Sequence, residues 1–389
     1  MKVLHVISSL DLEKGGPAQG VRNLTSFYKS MDVSPTVLTL DDMESDLGNV
    51  DHLEVVRLGK GKGVYSYHPD LIGWLKQNST NYDAIVVHGL WQYHCYAVYK
   101  ALKNENIPYY VFPHGMLDPW FKYEYPVKHM KKYVYWLLAQ YPALKRAEGV
   151  LFTCEEERLL AQKSFLPYDI TEVVVNYGTT LTNISKTAMP TDFYLHYPDL
   201  EGKRLFLFLS RIHEKKGCDL LIQAFAKVAG YDSDLHLVMA GPDQTDWKSE
   251  LMRVAEGSGI SDRITWTGMI KDEVKWGAIK AAEVFILPSH QENFGIAVAE
   301  ALAVGTPVLI SNKVNIWREI KEMNAGLVEE DTLDGTQKLM QNWLDLSKDD
   351  KALIVNNTVT CYEEKFYIGQ AAKNLINVIR SSASRNGIF

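Results

Sequence analysis

Short apolar runs rich in Val, Ile, Leu and Phe alternate along this chain with longer stretches in which apolar residues recur every three or four positions. The runs predict strands and the stretches amphipathic helices, because side chains repeat every second residue on a strand and about every 3.6 residues on a helix. In the first half the predicted strands are Val3–Ser8, Thr36–Leu40, Leu53–Arg57, Ala84–His88, Tyr109–Phe112 and Gly149–Phe152. In the second they are Arg204–Leu209, Leu235–Ala240, Ile264–Thr267, Val284–Leu287 and Pro307–Ile310. Continuously apolar strands separated by helices predict parallel sheets covered on both faces. Residues 179–203 are polar, carry Pro190 and Pro198 and lack a period, which predicts a linker within that stretch. The expected fold class is α/β, with two doubly wound Rossmann-like domains at 1–178 and 179–365.

Length agrees with two domains, since 389 residues exceed what one ordinary core organises. A hydrophobic share of 46% with 23% charged residues describes a globular chain. Net charge of −7 argues against a general nucleic-acid binder, which usually carries a basic domain. No apolar run approaches the ~18 residues of a membrane span, and Val3–Ile7 reads as a first strand rather than a signal peptide, so a cytoplasmic location is expected. Cys95, Cys154, Cys218 and Cys361 form no C-x-x-C pair, which points to reduced thiols and against a disulfide frame or structural zinc.

Candidate chemistry gathers after the predicted strands, where parallel α/β sheets bind ligands. Residues 288–307 read as loop, then a helix over Phe294–Val304 ended by Gly305, with Glu292 before the first turn and Glu300 inside the helix. If both were helical, the two carboxylates would lie about 12 Å apart at ~1.5 Å per residue, about the length of a nucleotide diphosphate sugar. Gly295 lets a ligand approach the unpaired N–H groups of the first turn, which favour an anion. After Arg204–Leu209 come Arg211 and Lys216, two cations suited to a diphosphate and to stabilising a departing nucleotide without a metal. His114-Gly115 follows Tyr109–Phe112, and Gly15-Gly16 follows the first strand and offers free amides to phosphate or acceptor. Gly241 and the Met269-Ile270 pair close two more strands, where backbone atoms bracket a base or diphosphate. Asp232-Ser233-Asp234 has a metal-binding D-x-D pattern but precedes its strand, so it reads as a turn. His88 and His94, six apart, lack helical zinc spacing.

Taken in order, Gly15-Gly16, His114-Gly115, the R-x₄-K-G loop at Arg211 to Gly217 and the E-x₇-E segment at Glu292 to Glu300 resemble the family-4 retaining glycosyltransferases, bacterial polysaccharide-biosynthesis type, over nearly the whole chain. That resemblance implies the GT-B fold, two Rossmann-like domains facing a central cleft, with a C-terminal helix at 366–389 packing back on the first domain. It implies Glu300 on the nucleotide ribose, Glu292 on the donor sugar's hydroxyls, and Arg211 with Lys216 on the diphosphate. Amides of Asn293, Phe294 and Gly295 join the sugar and phosphate contacts, His114 sits near the donor sugar, Gly16 approaches the diphosphate, and Met269-Ile270 borders the base. The family implies a retaining hexosyl transfer that uses no metal or other cofactor, in which the leaving phosphate takes the acceptor's proton, so Glu292 orients the sugar rather than attacking it. UDP-glucose is the first donor expected and a saccharide or lipid-linked saccharide the acceptor, for a bacterial envelope or extracellular polysaccharide. Alternative readings are a GT-B epimerase or a nucleotide-sugar-binding subunit without catalysis. The chain departs from the family's Pro-Asn-Gly-Val linker end, having Val175-Asn176-Tyr177-Gly178-Thr179 instead.

Between Pro119 and Ala147 lie Lys122, Lys128, Lys131, Lys132, Lys145 and Arg146 against Glu124 alone, interleaved with aromatics such as Trp120, Tyr133 and Trp136. This basic aromatic segment is a candidate for peripheral contact with anionic lipid on the inner membrane face. The plainer reading is a core helix with a solvated basic face.

Overall fold

The computed structural model describes residues 1–14, 16–50 and 53–385. Gly15 therefore lies outside the described residues. The chain divides into two compact units, Met1–Gly178 with Ile368–Phe389, and Thr179–Tyr367.

The first unit holds a seven-stranded sheet of β1 (Lys2–Ile7), β2 (Ser34–Thr39), β3 (Glu54–Arg57), β4 (Ala84–His88), β5 (Tyr109–Phe112), β6 (Gly149–Phe152) and β7 (Glu172–Val174). Its order is β3-β2-β1-β4-β5-β6-β7, and neighbouring strands run parallel. Alternation sorts the strand residues onto two buried faces. Leu4, Val6, Ile85, Val87 and Val111 pack with Leu71, Leu75, Val98 and Leu144 on one side. Val3, Ala84, Val86, Tyr110 and Phe112 pack on the other with Leu24, Tyr28 and the helix Ile368–Arg385. Ile368, Leu375, Ile376 and Ile379 of that helix are each at most 1% exposed. Four such side chains, at ~1.5–3 kcal/mol each, hold the end of the chain on this sheet.

The second unit carries β8 (Arg204–Leu209), β9 (Leu235–Ala240), β10 (Ile264–Gly268), β11 (Val284–Leu287), β12 (Val308–Ser311) and β13 (Gly326–Glu329). Their order is β10-β9-β8-β11-β12-β13, again parallel. Two findings differ from the hydrophobic pattern. Strands β7 and β13 are edge strands of three and four residues, each containing a Glu, too short and polar to register as apolar runs. The stretch expected to hold the linker is folded: helices Asn183–Thr187 and Pro190–Tyr194 lie on the helix Asp272–Ala281. Phe193 is fully buried there, and a Cβ on Gly277 would stand 2.7 Å from the Met189 carbonyl and 2.9 Å from the Phe193 nitrogen.

Candidate functional site

Strand order reverses between β8 and β11 in the second unit and between β1 and β4 in the first, so the loops after those strands flank a crevice at each sheet's switch point. In the second unit this brings residues 210–217 against 288–295. Gly217 adopts φ 64° and a Cβ there would stand 2.2 Å from the Pro288 carbonyl oxygen, so only glycine fits. The backbone of His290 donates to the Lys215 carbonyl at 2.8 Å, which places buried Lys216 under the second loop. Lys216 Nζ donates to Glu292 Oε2 at 2.5 Å. Glu292 is pinned through its backbone as well, its N–H donating to Lys313 and its carbonyl accepting from Asn315, both at 3.0 Å.

The helix expected from Phe294 begins at Ile296 and runs to Ala303, because Gly295 turns left-handed at φ 73° and forms its N-cap. Its first N–H groups lack intrahelical acceptors and its positive dipole end faces the loop, an arrangement suited to an anion. Phe294 is buried against the Phe366 ring, and Asn293 accepts from Asn315 Nδ2 at 3.4 Å. Glu300 is 8% exposed, and Lys275 Nζ lies 2.7 Å from its Oε1 and 2.7 Å from its Oε2. Each carboxylate thus has its own lysine while keeping lone pairs for further donors. Lys275 had no signal in the sequence reading, since it stands within a helix and not after a strand.

Arg211 is not drawn into this cluster: its guanidinium donates to Gln244 at 3.1 Å and is exposed. Gly241 has φ 141°, and a Cβ would stand 1.8 Å from the Ser210 carbonyl, so the loops after β8 and β9 touch backbone to backbone. Gly241 N–H donates to Gly268 at 2.8 Å and ties in the loop after β10, where Met269 is 58% exposed and Ile270 half-buried. A cavity of about 200 Å³ beside Gly241 includes Trp266 and Lys248, neither visible as a site residue in the sequence. The D-x-D stretch is a turn: Asp232 accepts from Arg204 at 2.6 Å, and the Asp234 N–H and this arginine hold its carboxyl below the usual range.

In the first unit, Gly16 opens the helix Gly16–Ser26, and its carbonyl accepts from the Tyr177 hydroxyl at 3.5 Å. Tyr177, within the stretch where the linker end departs from the family pattern, fills the place of a side chain at Gly20, where a Cβ would stand 1.0 Å from its hydroxyl. Its ring meets His114 edge-on at 5.8 Å. His114 and Gly115 both have positive φ, 51° and 75°. The turn is held by Glu157, buried at 3% exposure, which accepts from the Gly115 N–H at 2.5 Å and from the Thr153 N–H at 2.7 Å. Burial pushes His114 down to about 3, so its imidazole is neutral and can exchange hydrogen bonds but not act as a cation near neutral pH.

Beside the β1/β4 switch point a cavity of about 790 Å³ includes Ser9, Asp11, Lys14, Lys60, Trp91 and Lys132 among its lining. The Lys132 ammonium stands 4.7 Å from the Trp91 ring centroid. The basic segment behind it keeps Lys122, Lys128, Lys131, Lys145 and Arg146 exposed and adds an apolar face that neither sequence reading named. Trp136 is fully buried and Tyr133 packs inward on Phe165. What the helix Pro126–Tyr135 and its continuation expose is aliphatic: Val127 67%, Met130 71%, Val134 60%, Leu137 46% and Leu138 75%, an i, i+3, i+7, i+10, i+11 stripe. Exposed Lys128 and Lys131 accompany it. No helix among the described residues is long and apolar enough to cross a membrane.

Residues 15–177 match the family described as Glycosyl transferase 4-like domain, and residues 197–359 match Glycosyl transferases group 1. An uncharacterized glycosyltransferase of Methanocaldococcus jannaschii is 26% identical over 192 residues, covering 48% of this chain and 47% of that protein. The chain thus matches about half the length of that relative or less of others. Sucrose-phosphate synthase from Thermosynechococcus elongatus superimposes with a TM-score of 0.76 at 18% identity, over 99% of each chain. Anabaena HepE, solved in complex with UDP-glucose, superimposes at 0.74 with 16% identity, over 98% of this chain and 100% of its own. These structural likenesses concern the fold.

Proposed function

From the premise that the chain belongs to the family-4 glycosyltransferases of the GT-B fold, we propose that it moves a hexose from a UDP-sugar, with UDP-glucose the first donor to try, to a saccharide or lipid-linked saccharide. The transfer retains anomeric configuration and uses no metal, and its product belongs to an envelope or extracellular polysaccharide. One observation carries the reading: Glu292 and Glu300, each paired to its own lysine, stand on either side of the N-terminus of the helix Ile296–Ala303. Glu300 accepts from the ribose hydroxyls and Glu292 from the sugar hydroxyls. Lys216, the helix amides and Arg211, once it leaves Gln244, take the diphosphate. UDP-glucose in the related HepE supports this choice of donor.

Charge accounting follows from these groups. As the sugar–phosphate bond breaks, negative charge grows on the nucleotide, and a fixed ammonium and oriented amides stabilise it more than they stabilise the ground state. The leaving phosphate accepts the proton of the attacking hydroxyl, and neutral His114 contributes hydrogen bonding to the sugar. Glu292, held by Lys216, orients the ring. Gly241, Met269 and Ile270 border the base, and Gly16 approaches the diphosphate.

The acceptor-side cavity and the exposed aliphatic stripe support a lipid-linked acceptor presented at an anionic membrane surface. Each interfacial lysine adds ~1 kcal/mol near such a surface, and each exposed aliphatic side chain ~1.5–3 kcal/mol if fully buried. Incubation with a panel of nucleotide sugars, following donor hydrolysis and the anomeric configuration of transferred product, tests the reaction. Turnover of a UDP-hexose with retention is expected; tight UDP-sugar binding without hydrolysis or transfer would show a binding subunit instead, and an inverted product would refute the mechanism. Flotation with phosphatidylglycerol vesicles tests the surface, and failure to float at low salt would remove it.

A further inference from the structure

His5, His88 and His114 stand on one face of three adjacent strands. Val3, His5 and Ile7 alternate along β1, Val86 and His88 along β4, and Tyr110 and Phe112 along β5, with His114 two residues beyond. The register pairs His5 with Val86, Ile7 with His88, and His88 with Phe112, so each histidine is one step further along than the last. Side chains on this diagonal form a continuous hydrogen-bonded row. Tyr28 Oη meets His5 Nε2 at 3.0 Å, His5 Nδ1 meets His88 Nε2 at 2.9 Å, and His88 Nδ1 meets His114 Nε2 at 3.1 Å. Tyr28, His5 and His88 are at most 3% exposed.

Burial keeps the imidazoles neutral, lowering His5 and His114 to about 3 and His88 well below its ordinary value. A neutral imidazole has one N–H and one bare nitrogen, so every bond in the row must point the same way. Direction is then set at the closed end. Among the described residues the Tyr28 hydroxyl has His5 as its hydrogen-bond partner and no other acceptor, so its proton goes to His5 Nε2. A reversed row would leave that buried proton unaccepted, which is the costly case. At the open end, His114 Nδ1 makes no bond to the described residues and is not sealed from solvent.

We infer that Tyr28, His5 and His88 are positioning residues that fix His114 as its Nδ1–H tautomer, so that it donates, rather than accepts, a hydrogen bond to an oxygen of the bound sugar. This rests on the reading that His114 meets the donor sugar. The row does not move a proton during transfer; it sets in advance which way the ligand-facing nitrogen points.

Nitrogen-15 correlation spectra of the full chain labelled at histidine read the tautomers directly. His114 is expected to show a protonated Nδ1 and a bare Nε2, assigned by loss of its signals in His114→Ala. Tyr28→Phe removes the proton that sets the direction, so the two directions become nearly equal. About half of the donor form is then lost, and the KM for the UDP-sugar rises about twofold at unchanged kcat, as a halved competent population requires. A protonated Nε2 on His114 in the unaltered protein overturns the inference whether or not the variant folds. So does a Tyr28→Phe variant with the original tautomer and KM. Full transfer activity in His114→Ala would instead remove the sugar-contacting role of His114, a separate failure that leaves the tautomer result standing.

Discussion

Replacing Glu300 by Ala separates a ligand-holding carboxylate from one that merely neutralises a lysine. Glu300 is 8% exposed and Lys275 Nζ lies 2.7 Å from both of its oxygens. Removing the acid strands an ammonium whose side chain is 24% exposed. A fully buried orphan would cost ~3–5 kcal/mol, but Lys275 can turn its head to water, so about 1–2 kcal/mol is expected. For a unit of this size that lowers Tm by about 2–8 °C. Lys275→Met should cost a similar amount, because it leaves the opposite charge unpaired. The two variants diverge in UDP binding. Losing a charged acceptor for the ribose hydroxyls removes ~1.5–3 kcal/mol, so Kd for UDP, measured by titration calorimetry, should rise about ten- to a hundredfold in Glu300→Ala. Lys275→Met retains the acceptor, and its Kd should change by less than about threefold. Equal Kd values in both variants and the parent, beside the same losses of Tm, would refute the ribose role and leave a structural ion pair.

Glu292→Gln should leave UDP affinity near the parent value while lowering turnover of the UDP-sugar about ten- to a hundredfold, because only the sugar hydroxyls lose a charged acceptor; a Kd for UDP that rises in step with the loss of turnover would contradict this. Acid should unfold the chain through its buried histidines. His5, His94 and His114 are lowered to about 3, 4 and 3 and His88 well below its ordinary value, chiefly by burial, whereas the unfolded groups titrate near 6.5. Protons therefore bind the unfolded chain first: the contribution to stability is full above about pH 6.5 and is lost as pH falls toward the folded values. At ~1.4 kcal/mol per proton and pH unit, the four remove ~4–5 kcal/mol between pH 6 and 5. Calorimetry at pH 5.5 in buffers of different ionisation enthalpy should find about three to four protons taken up on unfolding, and fewer than two would show these imidazoles to be hydrated.

The central strands were legible because sheets covered on both faces demand near-continuous apolar runs, as in Phe206, Leu207 and Phe208 of β8. Residues 179–203 misled because two five-residue helices are too short to display a period, although Phe193 is as buried as any strand residue. Candidate site residues stand out in the sequence where they follow a strand, as Lys216, Glu292 and His114 do. Lys275 and Trp266 do not stand out, since one lies on a helix and the other inside β10. The histidine row was hidden for a different reason. His5, His88 and His114 are far apart in sequence, and their alignment requires knowing that β4 lies beside β1 and β5 beside β4.

Strand order also explains why two similar carboxylates acquire different surroundings. Because β11 pairs with β8 across the switch point, the loops following them must meet, and Lys216 reaches Glu292 although 76 positions separate them. Glu300 is the fifth residue of the helix Ile296–Ala303, and its lysine comes from the helix Asp272–Ala281 that precedes β11. The pairings respond to different parts of the fold. A distortion of the β8 loop, such as any side chain at Gly217 pressing on Pro288, should displace Lys216 from Glu292 while leaving Lys275 on Glu300. On the proposed division of roles, such a change weakens sugar orientation and spares the ribose. If Glu292 and Glu300 hold the two ends of a nucleotide sugar as proposed, the topology lets those ends be perturbed separately.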